Sequence, residues 1–240
     1  MCGRYRLTTK AEDLAARYHA RMSDDLHLAP SWNVAPGQDV LAVRLNPETG
    51  ERSLDALHWG LIPHWSTDKK IGYRTINARS ETVDTTPAFR QAFRKRHCLL
   101  CADGFYEWQR QAGRKVPFYF QLKSGEPFAF AGLWENWQDP QSGEWLRSCT
   151  ILTTEASPDV QPVHHRMPVI LPEAHHAAWL GEAEAGADPK ALLRSLDPGL
   201  LEVWEISPRV NSPRHNGPQL IEPYAGAQSP APDAQVPDSA

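Results

Sequence analysis

The chain has 240 residues, 41% hydrophobic and 22% charged, ordinary values for a folded protein and enough length to bury a core without disulfides or a structural metal. Its 25 Lys and Arg against 29 Asp and Glu give a net charge of −4, which excludes a bulk polycation and leaves any nucleic-acid role to a local patch. No stretch has the apolar length of a bilayer span, and the first twenty-one residues carry Arg4, Arg6, Lys10, Arg17 and Arg21 without the apolar run of a signal peptide. The expected compartment is therefore the cytoplasm, with Cys2, Cys98, Cys101 and Cys149 as reduced thiols.

In chain order, Met1 precedes a small residue, so the mature chain is expected to begin at Cys2. That leaves an α-amine and a thiol on one residue, a 1,2-aminothiol. Thr9 and Glu12 have the spacing of a capping box and Leu14 and Tyr18 share a helical face, predicting a helix over about 10–20. Strands are predicted at 39–45, 97–102, 116–122, 127–134, 148–154 and 201–206, each bounded by turn residues. Thr86-Pro87 opens a helix carrying Phe89 and Phe93, residues 173–180 form a second stopped by Gly181, and Asp188-Pro189 starts a third with Leu192, Leu193 and Leu196. This order is not a βαβ alternation. It predicts an α+β fold, one domain over residues 2–224 with a largely antiparallel, barrel-like β core and peripheral helices. Residues 225–240, AGAQSPAPDAQVPDSA, read as a disordered Ala/Pro-rich tail.

Several polar stretches offer chemistry. Cys98-Leu-Leu-Cys101 has CxxC spacing, but a strand sends positions 98 and 101 to opposite faces, so buried core thiols are expected and no metal site. His164-His165-Arg166-Met-Pro168 puts an imidazole and a guanidinium in a loop stiffened by proline. Asp103-Gly-Phe-Tyr-Glu107-Trp108 sets a carboxylate among aromatics. Exposed, Glu107 is an ordinary loop residue; packed beside Trp108, its pKa rises toward the range of a general acid or base. Asn77-Ala-Arg79-Ser-Glu81 combines an amide with a cation suited to phosphate or carboxylate. Trp32-Asn33-Val-Ala-Pro36 and Trp59-Gly-Leu-Ile-Pro-His-Trp65 are aromatic loops that serve either as core corners or as stacking platforms. His175 and His176 fall on a predicted surface helix and receive no role.

Taken in order, Met-Cys-Gly-Arg4, Trp-Asn33-Val-Ala-Pro36, Trp59-Gly-Leu-Ile-Pro63, Asn77-Ala-Arg79-x-Glu81-Thr82, Asp103-Gly-Phe-Tyr-Glu107-Trp108, His164-x-Arg166-Met-Pro168 and Val210-Asn211 with Gly217 resemble the SRAP family of SOS-response-associated peptidases, whose members crosslink to abasic sites in DNA. The resemblance spans residues 2 to about 223. It implies a monomeric sensor and shield of abasic sites in single-stranded DNA or at strand junctions, joined to the lesion as a thiazolidine through Cys2, without metal or cofactor. It further implies that Glu107 protonates the ring oxygen of the sugar, that His164 shuttles protons, and that Asn77 bonds the product. Arg4, Arg79 and Arg166 would grip phosphates, Asn33 would brace the N-terminus on that DNA-binding surface, and Trp59 and Trp65 would offer faces to bases. The doubled histidine leaves His165 as an alternative register for His164. An N-terminal-nucleophile amidohydrolase, a peptidase that removes its own leading residue, and a damage-binding module whose Cys2 merely packs are the competing readings.

Overall fold

The computed structural model describes residues 2–23, 26–182 and 188–224; the tail expected at 225–240 lies outside the described residues. The strands are β1 (Tyr5–Leu7), β2 (Arg21–Met22), β3 (Ser31–Val34), β4 (Asp39–Leu45), β5 (Arg52–Trp59), β6 (Asn77–Arg79) and β7 (His97–Ala102). They continue as β8 (Gly104–Gln111), β9 (Arg114–Leu122), β10 (Phe128–Gln138), β11 (Trp145–Glu155), β12 (Arg166–Pro168), β13 (Ile170–Leu171) and β14 (Leu201–Glu205). Among the described residues three short helices, α1 (Ala11–Arg17), α2 (Arg90–Lys95) and α3 (His176–Leu180), sit around them.

Five strands close on themselves in the order β5-β4-β7-β10-β11. All neighbours in the ring are antiparallel except the seam, where β11 meets β5 in parallel through Ser148↔His58 and Cys149↔Trp59. The result is the expected α+β fold with a mixed barrel at its centre. A second, antiparallel sheet has the order β14-β9-β8-β1-β3. Aromatic side chains join the two: Tyr5 of β1 lies 5.2 Å from Trp59 and 5.7 Å from Phe130, and Phe105 of β8 meets Phe130 edge-on at 6.2 Å. Edge-on and tilted rings at these separations are favourable beyond the area they bury. β7 is sealed on both faces, so Cys98, Leu99, Leu100 and Cys101 are all buried, and the two thiols of the CxxC stretch are core side chains.

The strongly apolar strands fall where the pattern predicts, with β4 and β7 at 39–45 and 97–102. The helices are shorter than predicted. α1 covers seven residues, and Thr9 does not cap it; the Thr9 hydroxyl instead donates to Asp103 at 2.7 Å. Pro189–Leu192 is a 3₁₀ turn capped by the Asp188 side chain, and 173–180 splits into a 3₁₀ turn and α3 before Gly181 turns left-handed at φ 84°. His176 is buried rather than on a surface, its Nε2 lying 3.0 Å from the carbonyl of Leu171. The polar stretches lie largely on strands: Asn77–Arg79 is β6, Glu107 lies inside β8, and Arg166, in a stretch expected to be a loop, opens β12.

Candidate active site

The site is built from the N-terminal arm. β1 is threaded between β3 and β8, and the pairing continues past the strand because the Tyr106 amide donates to the carbonyl of Arg4 at 3.0 Å. Continuing that register brings Gly3 and Cys2 alongside Glu107. Two anchors fix the arm. Downstream, Asp103 accepts from the Thr8 and Thr9 hydroxyls and from the Thr9 amide at 3.0 Å. Upstream, Arg4 Nη1 donates to Asn33 Oδ1 at 2.8 Å and to the Val210 carbonyl at 2.9 Å. Asn33 is itself buried, its Nδ2 donating to the carbonyls of Ser212 at 3.0 Å and His215 at 2.8 Å. Arg4 and Asn33 are thus internal braces of the arm.

Cys2 at the end of this arm is fully buried. Asn77 Nδ2 donates to its carbonyl at 2.8 Å, and its thiol points to the carbonyl of Arg4 at 3.8 Å. Burial first, and then the negative charge of Glu107, push the thiol pKa far up, so the sulfur is held as a neutral thiol. Asn77 Oδ1 is buried and has no hydrogen-bond partner among the described residues. A buried acceptor left open is costly unless something donates to it.

Asn77 reaches this place through backbone geometry. β6 runs parallel to β11, with Asn77 opposite Ile151 and Arg79 opposite Thr153. The segment leading into it crosses itself at two glycines: a Cβ on Gly60, whose φ is +139°, would lie 2.7 Å from the Gly72 carbonyl oxygen. Thr75 ties off the crossing by donating to the Leu61 carbonyl at 2.6 Å.

Glu107 owes its burial to strand alternation. Phe105 and Glu107 share the face of β8 turned to the barrel, while Tyr106 and Trp108 pack on the other side with Val210 and Leu220. Only 2% of Glu107 is exposed, and burial raises its carboxyl above the ordinary glutamate range. The loop carrying the histidines is pinned to the same strand by Gln109, which donates to the Pro162 carbonyl at 2.5 Å. His164 Nδ1 lies 3.0 Å from both the amide and the carbonyl of Arg166. A protonated Nδ1 donates to the carbonyl and a bare one accepts from the amide, so the ring stays in place in either state. Burial lowers its pKa, keeping it neutral near pH 7. His165 stacks on it at 4.5 Å and is exposed.

Cys2, Asn77, Glu107 and His164 therefore converge on one site, rimmed by Arg79 and Arg166. Arg79 is exposed, and while its carbonyl accepts from the Thr82 amide at 3.2 Å, its side chain makes no hydrogen bond among the described residues. Arg166 is buried, with Nη2 donating to the Thr153 carbonyl at 2.7 Å and both Nη atoms engaged by the carboxylate of Glu81. Trp65 is 53% exposed. Trp59 is not a platform: it is 1% exposed, packs on Tyr5, and its indole N–H donates to the Ile76 carbonyl at 2.9 Å, so this tryptophan is a core corner. Two acidic residues escape a reading of motifs one at a time, Glu81 as the partner of Arg166 and Asp103 as the anchor of the arm. Each lies inside a quoted motif, but the partner is 85 residues away for Glu81 and 94 for Asp103 with Thr9. Among the described residues, no three His, Cys, Asp or Glu side chains are grouped to hold a metal ion.

The chain as a whole is similar to known proteins. The family model described as SOS response associated peptidase (SRAP) matches residues 1–213. The chain is 40% identical over 227 residues to the Abasic site processing protein YoqW of Bacillus subtilis, covering 93% of this chain and all of that one. It is 30% identical to the Abasic site processing protein HMCES of Xenopus tropicalis, covering 92% of this chain and 78% of the relative. A crystal structure of a Bacteroides thetaiotaomicron protein superimposes with a TM-score of 0.84 at 25% identity, over 93% of this chain and all of the other. One from Bordetella bronchiseptica gives a TM-score of 0.72 at 29% identity, over 86% and 100%. With a family match over most of its length and relatives at this identity, the chain belongs to the SOS response associated peptidase (SRAP) family.

Proposed function

We propose that this protein captures abasic sites in single-stranded DNA by a covalent bond to Cys2 after loss of Met1. The observation that carries the reading is the hydrogen bond from Asn77 to the Cys2 carbonyl, which fixes a terminal aminothiol beside a buried carboxylate. The relatives named abasic site processing proteins support the substrate.

The chemistry follows from the groups at hand. An abasic deoxyribose equilibrates with its open-chain aldehyde, and a raised pKa keeps Glu107 able to protonate the ring oxygen as the ring opens. The Cys2 amine adds to the aldehyde carbon; loss of water leaves an imine. An α-amine is ordinarily far less basic than a lysine, ~8 against about 10.4, so a neutral fraction is more readily available at cellular pH. The thiol then adds across the C=N bond: the S–C bond forms and the proton of the thiol ends on nitrogen. Because amine and thiol share one residue, this step is intramolecular and benefits from a high effective concentration. Burial holds the thiol protonated, so closure needs a base, and Glu107 after its first proton transfer is one. His164, held in both protonation states, can relay protons at the imine. Asn77 Oδ1 is the acceptor left open for the thiazolidine N–H or a sugar hydroxyl. Arg79 and Arg166 meet the flanking phosphates, and Trp65 offers an exposed face to a base.

The test mixes the purified protein with a single-stranded oligonucleotide bearing one abasic site and looks for a shifted band that survives denaturation. Intact mass of the same sample establishes that Met1 is gone. The expected band requires both the abasic site and Cys2. Cys2→Ser keeps the amine and so can form an imine, but gives no heat-stable product. No band from a protein with a confirmed free Cys2, or an equally heat-stable band from Cys2→Ser, overturns the reading.

A further inference from the structure

We propose that Glu81 occupies, in the DNA-free protein, the place of a backbone phosphate on Arg166, and that this competition restrains binding of undamaged DNA. The inference deepens the function proposed above and rests on it.

Arg166 is anchored from inside the fold. Its Nη2 donates to the Thr153 carbonyl at 2.7 Å and reaches the Thr153 hydroxyl at 3.3 Å, and 11% of its side chain is exposed. Those bonds hold the guanidinium whether or not Glu81 is there. Glu81 lies on the solvent side, 46% exposed, and spans Nη1 and Nη2 with its two oxygens, the second bond at 3.0 Å. A carboxylate and a phosphate present the same two-oxygen fork to arginine. Glu81 also sits in the turn just after β6, so it can swing out without breaking a strand pair. Arg79, two residues earlier and exposed, adds its charge to that of Arg166 at the same spot, and together they hold Glu81 ionised well below the usual glutamate range.

A phosphate arriving at Arg166 must therefore displace a carboxylate already in its place. Every DNA strand bears that cost, and a strand without a lesion has no covalent bond to offset it. Specificity is a difference between affinities, and a competing internal anion widens it. The motif alone does not disclose this, because Glu81 and Arg166 belong to separate stretches of sequence.

The experiment measures noncovalent binding of a fluorescent single-stranded oligonucleotide without an abasic site, by anisotropy at fixed salt, for wild type, Glu81→Gln and Glu81→Asp. The glutamine keeps the shape and removes the charge; the shorter aspartate keeps the charge and loses the fork. Glu81→Gln is expected to bind at least about fivefold tighter, the low end of ordinary coupling between competing sites, with Glu81→Asp between it and wild type. Equal or weaker binding by a Glu81→Gln protein that melts as wild type does overturns the proposal. Should Glu81→Gln fail to fold, Glu81→Asp decides by the same criterion. Wild type that captures an abasic oligonucleotide while neither variant tightens removes only the role of Glu81. Wild type that engages neither oligonucleotide removes the functional reading and this one with it.

Discussion

Glu107 is a carboxylate inside a strand, 2% exposed, and its surroundings set both its chemistry and its cost. Glu107→Gln keeps the shape and removes the proton transfer, so crosslink formation should slow by about 10²-fold or more while undamaged single strands still bind. Single-turnover gel kinetics beside anisotropy checks this; loss of binding would make Glu107 a structural residue. The same substitution has a thermodynamic signature. Burial raises the folded-state pKa above the unfolded one, so the stability linked to this group is fully present below the unfolded pKa, about 4.3, and is lost as pH rises through the folded value. Glu107→Gln carries no such loss. Its melting temperature should exceed that of wild type at pH 7.5, and the gain should vanish as pH falls toward the unfolded pKa.

At the scale of elements, the crossing of Gly60 and Gly72 sets where β6 begins, and so where Asn77 stands. Gly60→Ala combines a left-handed backbone with a Cβ 2.7 Å from a carbonyl oxygen. A cost of about 2 kcal/mol is expected, which for a chain of this size lowers the melting temperature by roughly 4–8 °C. The crosslinking rate should fall with it, because Asn77 follows the displaced segment; an unchanged melting temperature would refute the close approach. Elements also mark the limit of legibility. HCLLCA and DVLAVRL each hold an unbroken apolar stretch, Cys98 to Ala102 and Val40 to Val43, and fall on their strands to the residue. NAR and RMP do not read as strands, because each is three residues long and carries charge. Those charges are tolerated where they are because the strands line a polar site, so the segments proposed to perform the chemistry are the ones that break the pattern. Thr9 fails as a cap for a related reason: Asp103, far away in sequence, is the better partner for its hydroxyl.

At the scale of the whole molecule, a net charge of −4 leaves little general attraction for DNA. Arg4 is spent on Asn33 and Val210, and Arg6 on Thr8, Tyr119 and the face of Trp32 at 4.5 Å. With Arg79 and Arg166 meeting two phosphates, log K for a single strand should fall with log salt at a slope of about −1.4. Anisotropy titrations at several salt concentrations test this, and a slope steeper than about −3 would reveal further cationic contacts. The fold class is legible in the order of apolar runs, yet the barrel seam between β11 and β5 is not, since parallel partners so far apart in sequence leave no local mark. The threading of β1 between β3 and β8 has one more consequence, in time rather than in space. During synthesis β8 emerges about a hundred residues after Cys2, roughly 5–20 s later at ordinary elongation rates. Until then β1 has only β3 as a pairing partner, and its other edge stays open. Once β8 pairs, the sulfur and its backbone are sealed. On the function proposed above, removal of the leading methionine belongs to the interval before that closure, and intact mass of chain made at slow and fast expression rates tests whether a methionine-bearing fraction grows with the rate.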